Sequence, residues 1–99
     1  MKYKPGVSIR KLQPQIVLAL MEIERLYADL DQDLVITSGD DGKHSDASLH
    51  YEGLAIDIRT RNLTLMTPEG IAQAIREVLP EGYDVIVEST HIHLEYDPA

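Results

Sequence analysis

Apolar positions along the 99-residue chain fall into two kinds of period. Ile16, Leu20, Ile23, Tyr27 and Leu30 recur at alternating steps of four and three. That spacing predicts one face of a helix, opened by Pro14 in its first turn and ended by Asp31 and Asp33. "TPEGIAQAIREVLP" predicts a second helix, with Thr67 as N-cap, Pro68 in the first turn and Pro80 as the stop. Its expected buried stripe is Ile71, Ile75, Val78 and Leu79. Period two appears elsewhere. "LVITS" (34–38), "LAIDIRT" (54–60), "YDVIVES" (83–89) and "HIHLEY" (91–96) read as strands, the last two as a hairpin. Residues 1–12 show neither period and read as an irregular arm.

The resulting order is helix, strand, strand, helix, strand, strand. It predicts a single α+β domain over 1–99, with a mostly antiparallel sheet and two helices covering one face. Alternation then assigns the other face. Leu54, Ile56 and Ile58 point to the core, so Ala55, Asp57 and Arg59 point away from it. In the last strand Ile92, Leu94 and Tyr96 point one way, and His91, His93 and Glu95 the other.

Composition narrows the partners. A formal net charge of −8 with no basic stripe argues against nucleic acid and against anionic membrane surfaces. No cysteine is present, which removes disulfides and thiolate metal sites. "MKYKPGVSIRKLQPQ" has no apolar core of signal-peptide type, and "IVLALMEI" is too short to span a bilayer. The expectation is a soluble monomer without an export signal, cytoplasmic or phage-associated. A domain cut from a longer precursor would look the same.

Four histidines stand in two short segments, "HSDASLHYEGLAID" (44–57) and "ESTHIHLEY" (88–96), with carboxylates beside them. His50, Asp57 and one of His91 or His93 make a two-histidine, one-carboxylate set. Zinc accepts such ligands, and three protein ligands leave a fourth position open, as hydrolysis requires. Glu88 is a candidate proton acceptor by position. Non-haem iron is the weaker choice, because its usual pattern puts His and Asp two apart on one strand. Here His50 and Asp57 are seven apart across a turn.

"DDGKHSDASLHYEGLAIDIRT", followed after one helix by "YDVIVESTHIHLE", closely resembles the animal hedgehog signalling domain and the zinc D-Ala-D-Ala carboxypeptidase family that shares its fold, phage endolysins included. The shared pattern is S-L-H-Y-E-G-x-A-x-D, then an E-S segment, then H-I-H, over residues of about 34 to 96. The resemblance implies a hedgehog/DD-peptidase-like fold with zinc on His50, Asp57 and His93. It implies that His91 faces the open position and that Glu88 is the general base. One departure bears on these roles: a residue fewer separates Glu88 from H-I-H than in hedgehog. In the peptidases the base commonly lies three residues before a ligand histidine, which is Glu88 counted from His91 and Thr90 counted from His93.

His44 matches a histidine of the hedgehog loop and is a candidate to flank the site with Arg59, whose guanidinium suits a substrate carboxylate. Asp41 matches one hedgehog calcium ligand, but Gly39 stands at the preceding ligand position. Asp40, Asp41 and Asp46 therefore read as a polar loop. The implied activity is hydrolysis of a small peptide bond in peptidoglycan stem peptides, of D-Ala-D-Ala or L-Ala-D-Glu type. The alternative is a non-catalytic zinc-containing domain that binds a protein or peptide.

Overall fold

Pro14 opens helix α1 (Pro14–Asp29) in the computed structural model, which describes residues 1–41 and 48–98. Gln13 gives α1 no side-chain cap; its backbone N–H instead donates to the Gly53 carbonyl at 2.9 Å. The other end closes by a change of backbone hand. Asp31 adopts φ 52°, its N–H donates to Ala28 O, and the Gln32 N–H donates to Tyr27 O. That is a Schellman closure with aspartate in the place glycine usually takes. Ile16, Ala19, Leu20, Ile23 and Tyr27 are buried along the expected face.

Among the described residues, five strands form one mixed sheet. They are β1 (Lys2–Tyr3), β2 (Val35–Ser38), β3 (Ala55–Arg59), β4 (Tyr83–Val87) and β5 (His91–Tyr96), in spatial order β1-β2-β3-β5-β4. Only β1 and β2 run parallel; the other three pairings are antiparallel. The expected β4–β5 hairpin is present, and the Glu88 N–H donates to His91 O at 2.8 Å across its turn. A β-bulge interrupts the β2–β3 ladder between Ile36 and Ser38, beside Asp57.

The arm differs from expectation. Lys2 and Tyr3 pair with Val35 and Ile36 as the edge strand β1. Two residues are too few to carry a period, so no pattern could announce them. Further on, Val7 and Leu12 pack against the core.

Helix α2 (Pro68–Val78) is capped as predicted: Thr67 Oγ1 accepts the Gly70 N–H at 3.1 Å. Its buried stripe needs one correction. Ile71, Ala72 and Ile75 are buried, whereas Val78 is 40 % exposed. The helix stops at Val78, and Leu79 turns into extended geometry and packs on the core instead.

Both helices meet Ile36, Ile56, Ile58, Val85, Ile92 and Leu94 in one apolar cluster. Ile36, Ile56, Ile58, Ile71, Ile75, Ile92 and Leu94 are fully buried, so truncating one to alanine should cost about 2–5 kcal/mol. The cluster fixes the strands' rotation, and with it which side chains face away.

Candidate metal centre

Asp57 and His93 sit directly opposite each other on β3 and β5, and Arg59 opposes His91 beyond the intervening Ile58–Ile92 pair. Each flanks isoleucines that belong to the core, so period two alone sends these polar side chains to the other face. His50 comes from outside the sheet. Residues 48–54 form a tight turn in which Tyr51, Glu52 and Gly53 N–H groups donate to Ser48, Leu49 and His50 carbonyls. Gly53 ends it at φ 73°, and a Cβ there would collide with the Lys11 carbonyl oxygen. The turn carries His50 over the β3–β5 face, where it is 3 % exposed.

His50, Asp57 and His93 each present a ligand atom, all within 4.8 Å of one another. His50 Nε2 lies 3.3 Å from Asp57 Oδ1, and His93 Nδ1 lies 3.0 Å from the same oxygen. The two imidazoles are tilted, with centroids 5.0 Å apart. The far nitrogen of each ring is also held. His50 Nδ1 donates to the Gly39 carbonyl at 2.8 Å, and His93 Nε2 donates to Glu95 Oε1 at 2.8 Å. A carbonyl only accepts, so the hydrogen of neutral His50 sits on Nδ1 and its Nε2 lone pair faces a carboxylate oxygen. Two acceptors at 3.3 Å need a cation between them, either a proton or a metal. The same holds at His93 Nδ1. Imidazoles oriented by a carbonyl and a carboxylate are how proteins prepare metal ligands. By donor chemistry and convergence the triplet fits a metal ion.

Protonation follows the same geometry. Burial by itself pushes the Asp57 carboxyl up, but hydrogen bonds from His50 and His93 and the charges of His50 and His91 hold it well below the usual carboxylate range. The hydrogen bond to Asp57 raises His93 against the opposing effect of burial, and Glu95 adds to the rise.

His91 stands apart from the triplet. Its Nε2 is 3.7 Å from Asp57 Oδ2, and its Nδ1 is 3.0 Å from Thr90 Oγ1. Together with Asp57 and Arg59 it lines an open cleft of about 700 Å³. Lys4, Thr37, Ser38, Thr60, Arg61, Pro68, Ser89 and Thr90 complete the lining.

Glu88 is exposed at the β4–β5 turn, opposite His91 in the hairpin. Among the described residues its carboxylate has no hydrogen bond or ion pair, and Ser89 and Thr90 line the cleft where Glu88 does not. His44 and Asp46 lie outside the described residues. Asp41 Oδ1 accepts the N–H groups of Ser8 and Gly39, and Asp40 Oδ2 accepts that of Lys11. These two acids tie the arm to the loop behind His50.

Sequence reasoning passed over the Gly39 carbonyl and the Lys4, Arg61 and Ser38 walls, which reach the cleft only through the tertiary fold. Glu95 lies on the His93 face, as alternation predicts, and its hydrogen bond to the His93 ring is what the sequence did not announce.

No family model, curated protein or solved structure matches the chain.

Proposed function

We propose that this chain is a zinc-dependent peptidase of the D-Ala-D-Ala carboxypeptidase or L-Ala-D-Glu endopeptidase type, cutting a small peptide bond of peptidoglycan stem peptides. One observation carries the reading. A buried two-histidine, one-carboxylate triplet, with both rings oriented from behind, opens onto a cleft through Asp57. His50, Asp57 and His93 would hold the metal, which when bound supplies Lewis acidity toward a peptide carbonyl and an attacking water.

The remaining work falls to the chain. His91 faces the cleft beside Asp57 and is placed to hydrogen-bond the carbonyl oxygen as negative charge develops on it. Thr90 Oγ1 holds the other ring nitrogen and sets the ring's direction. Glu88 takes the proton of the attacking water and returns it to the leaving amine. The hedgehog/DD-peptidase-like fold and the face assignment of zinc belong to the same proposal.

A second reading has its own support. Glu88 is exposed and lines no part of the cleft, which suits a metal-stabilised domain that binds a peptide without cutting it.

The test is metal analysis of the purified protein alongside mass spectrometry of digested muropeptides. Stoichiometric zinc with release of D-alanine, or of fragments cut after L-alanine, is the expected result. Glu88→Gln should keep its zinc and lose turnover by roughly 10²–10⁴. Zinc without cleavage across a broad muropeptide panel would establish the binding-domain reading.

A further inference from the structure

The cleft reverses the charge of the molecule around it. The chain carries a formal net charge of −8, with nine Lys and Arg against 17 Asp and Glu. Yet Lys4, Arg59 and Arg61 line this one cleft, and among the described residues Asp57 is the only acidic side chain in its lining. The Asp57 carboxylate is already engaged by His50, His91 and His93. None of the three cations has an ion-pair partner among the described residues. In a chain with so many acids, three cations in one concavity, unpaired among the described residues, are a local excess of positive potential.

Their placement shows how that excess arises. Arg59 lies two residues beyond Asp57 on β3, on the same face, and opposes His91 on β5. Arg61 follows in the turn just past the strand. Lys4 arrives from the other edge of the sheet, where β1 pairs with β2 and the Lys4 N–H donates to Ile36 O at 2.9 Å. The edge strand that sequence periodicity did not announce thus places the third cation. Thr37, Thr60 and Ser89 add hydroxyls, which can hydrogen-bond an anion's oxygens without adding charge.

From this lining we infer that the cleft recognises a dianionic ligand: a short peptide that carries two carboxylates next to the bond presented to the metal centre. One guanidinium satisfies one carboxylate as a bidentate fork. Two guanidiniums and an ammonium exceed what a single terminal carboxylate can balance. A second carboxylate, on a side chain or a branch, gives each guanidinium a partner of its own and leaves the ammonium to be shared. The inference rests on the peptidase reading only in taking the ligand to be a peptide. It selects, within that reading, a substrate with an acidic residue on the leaving side over one ending in two neutral residues.

The experiment compares L-alanyl-D-glutamate, with two carboxylates, and L-alanyl-D-isoglutamine, with one, by isothermal calorimetry on zinc-loaded and on chelator-stripped protein. Mass spectrometry of the same samples reports any cleavage. The dicarboxylate should bind about tenfold tighter, the worth of one charge-assisted hydrogen bond at a half-exposed position. Arg59→Gln and Arg61→Gln should each erase most of that preference, Lys4→Gln part of it, and added salt should shrink it. Thermal melts of each variant check that the fold is intact. Equal binding of the two peptides, binding of neither, or a preference that survives all three substitutions overturns the inference. A preference without cleavage supports the cleft assignment and counts against the peptidase. Cleavage of both peptides without preference does the reverse.

Discussion

Glu95 Oε1 lies 2.8 Å from Nε2 of His93, while Nδ1 of the same ring lies 3.0 Å from Asp57. The imidazole is gripped between two carboxylates, one of them a candidate ligand and the other its orienting partner. Glu95→Gln keeps the size but loses the charge that makes Nδ1 a better donor to a metal. Zinc affinity should fall by about 10–100-fold, with the fold unchanged. Competition with a chromophoric chelator reads the affinity, and wild-type affinity in Glu95→Gln would remove Glu95 from the centre.

Ligand substitutions separate the two histidines of β5. His50→Ala, Asp57→Ala and His93→Ala should each abolish stoichiometric zinc, and His91→Ala should keep most of it. Chelation should lower the melting temperature of the wild type, because a metal bound only by the folded chain stabilises it by mass action. Zinc retained in His93→Ala and lost in His91→Ala would exchange their roles.

Metal capture and metal-free stability should depend on pH in opposite ways. A metal on His93 Nδ1 displaces the proton that Asp57 favours there, so zinc affinity should fall as pH drops from above the ordinary histidine value of about 6.5. Without metal, the raised His93 contributes stability fully below that unfolded value and loses it as pH rises through the raised one. The lowered Asp57 contributes above its unfolded value of about 3.9 and loses it as pH falls through the lowered one. The pair's contribution in stripped protein should therefore be largest between about pH 4 and 6.5. Melting curves with and without zinc across that range test the crossing; parallel profiles would contradict it.

Gly53→Ala should be costly although no ligand changes. The position holds φ 73°, and the added carbon meets the Lys11 carbonyl. The left-handed backbone alone costs an L-residue about 1–2 kcal/mol. Relief of the collision should move the arm, the His50 turn, or both. Chemical denaturation should show the loss, and zinc affinity should fall with it.

Much of this was legible in the sequence because one period of two sorts a strand's residues onto two faces. Ile56 and Ile58 announce the core, and Asp57 between them announces the other face. His91, His93 and Glu95 follow by the same count. The Thr67 cap and the helix start at Pro14 were equally plain, being local chemistry. What escaped was tertiary. Two residues of β1 have no period to read, and they bring Lys4 to the cleft. The Gly39 carbonyl behind His50 is a backbone atom and leaves no compositional trace. Val78 fell outside its stripe because the helix ended beneath it.

The pairing of Asp57 with His93 between Ile56–Leu94 and Ile58–Ile92 has a consequence for folding fidelity. A slip of one residue between these two strands would part the candidate ligands while turning isoleucine out to solvent and carboxylate in toward the helices. Misaligned chains would then be doubly marked, greasy outside and unable to capture the ion. Metal uptake by a freshly folded preparation would accordingly serve as a proofreading signal, counting only those molecules whose central strands had zipped in step.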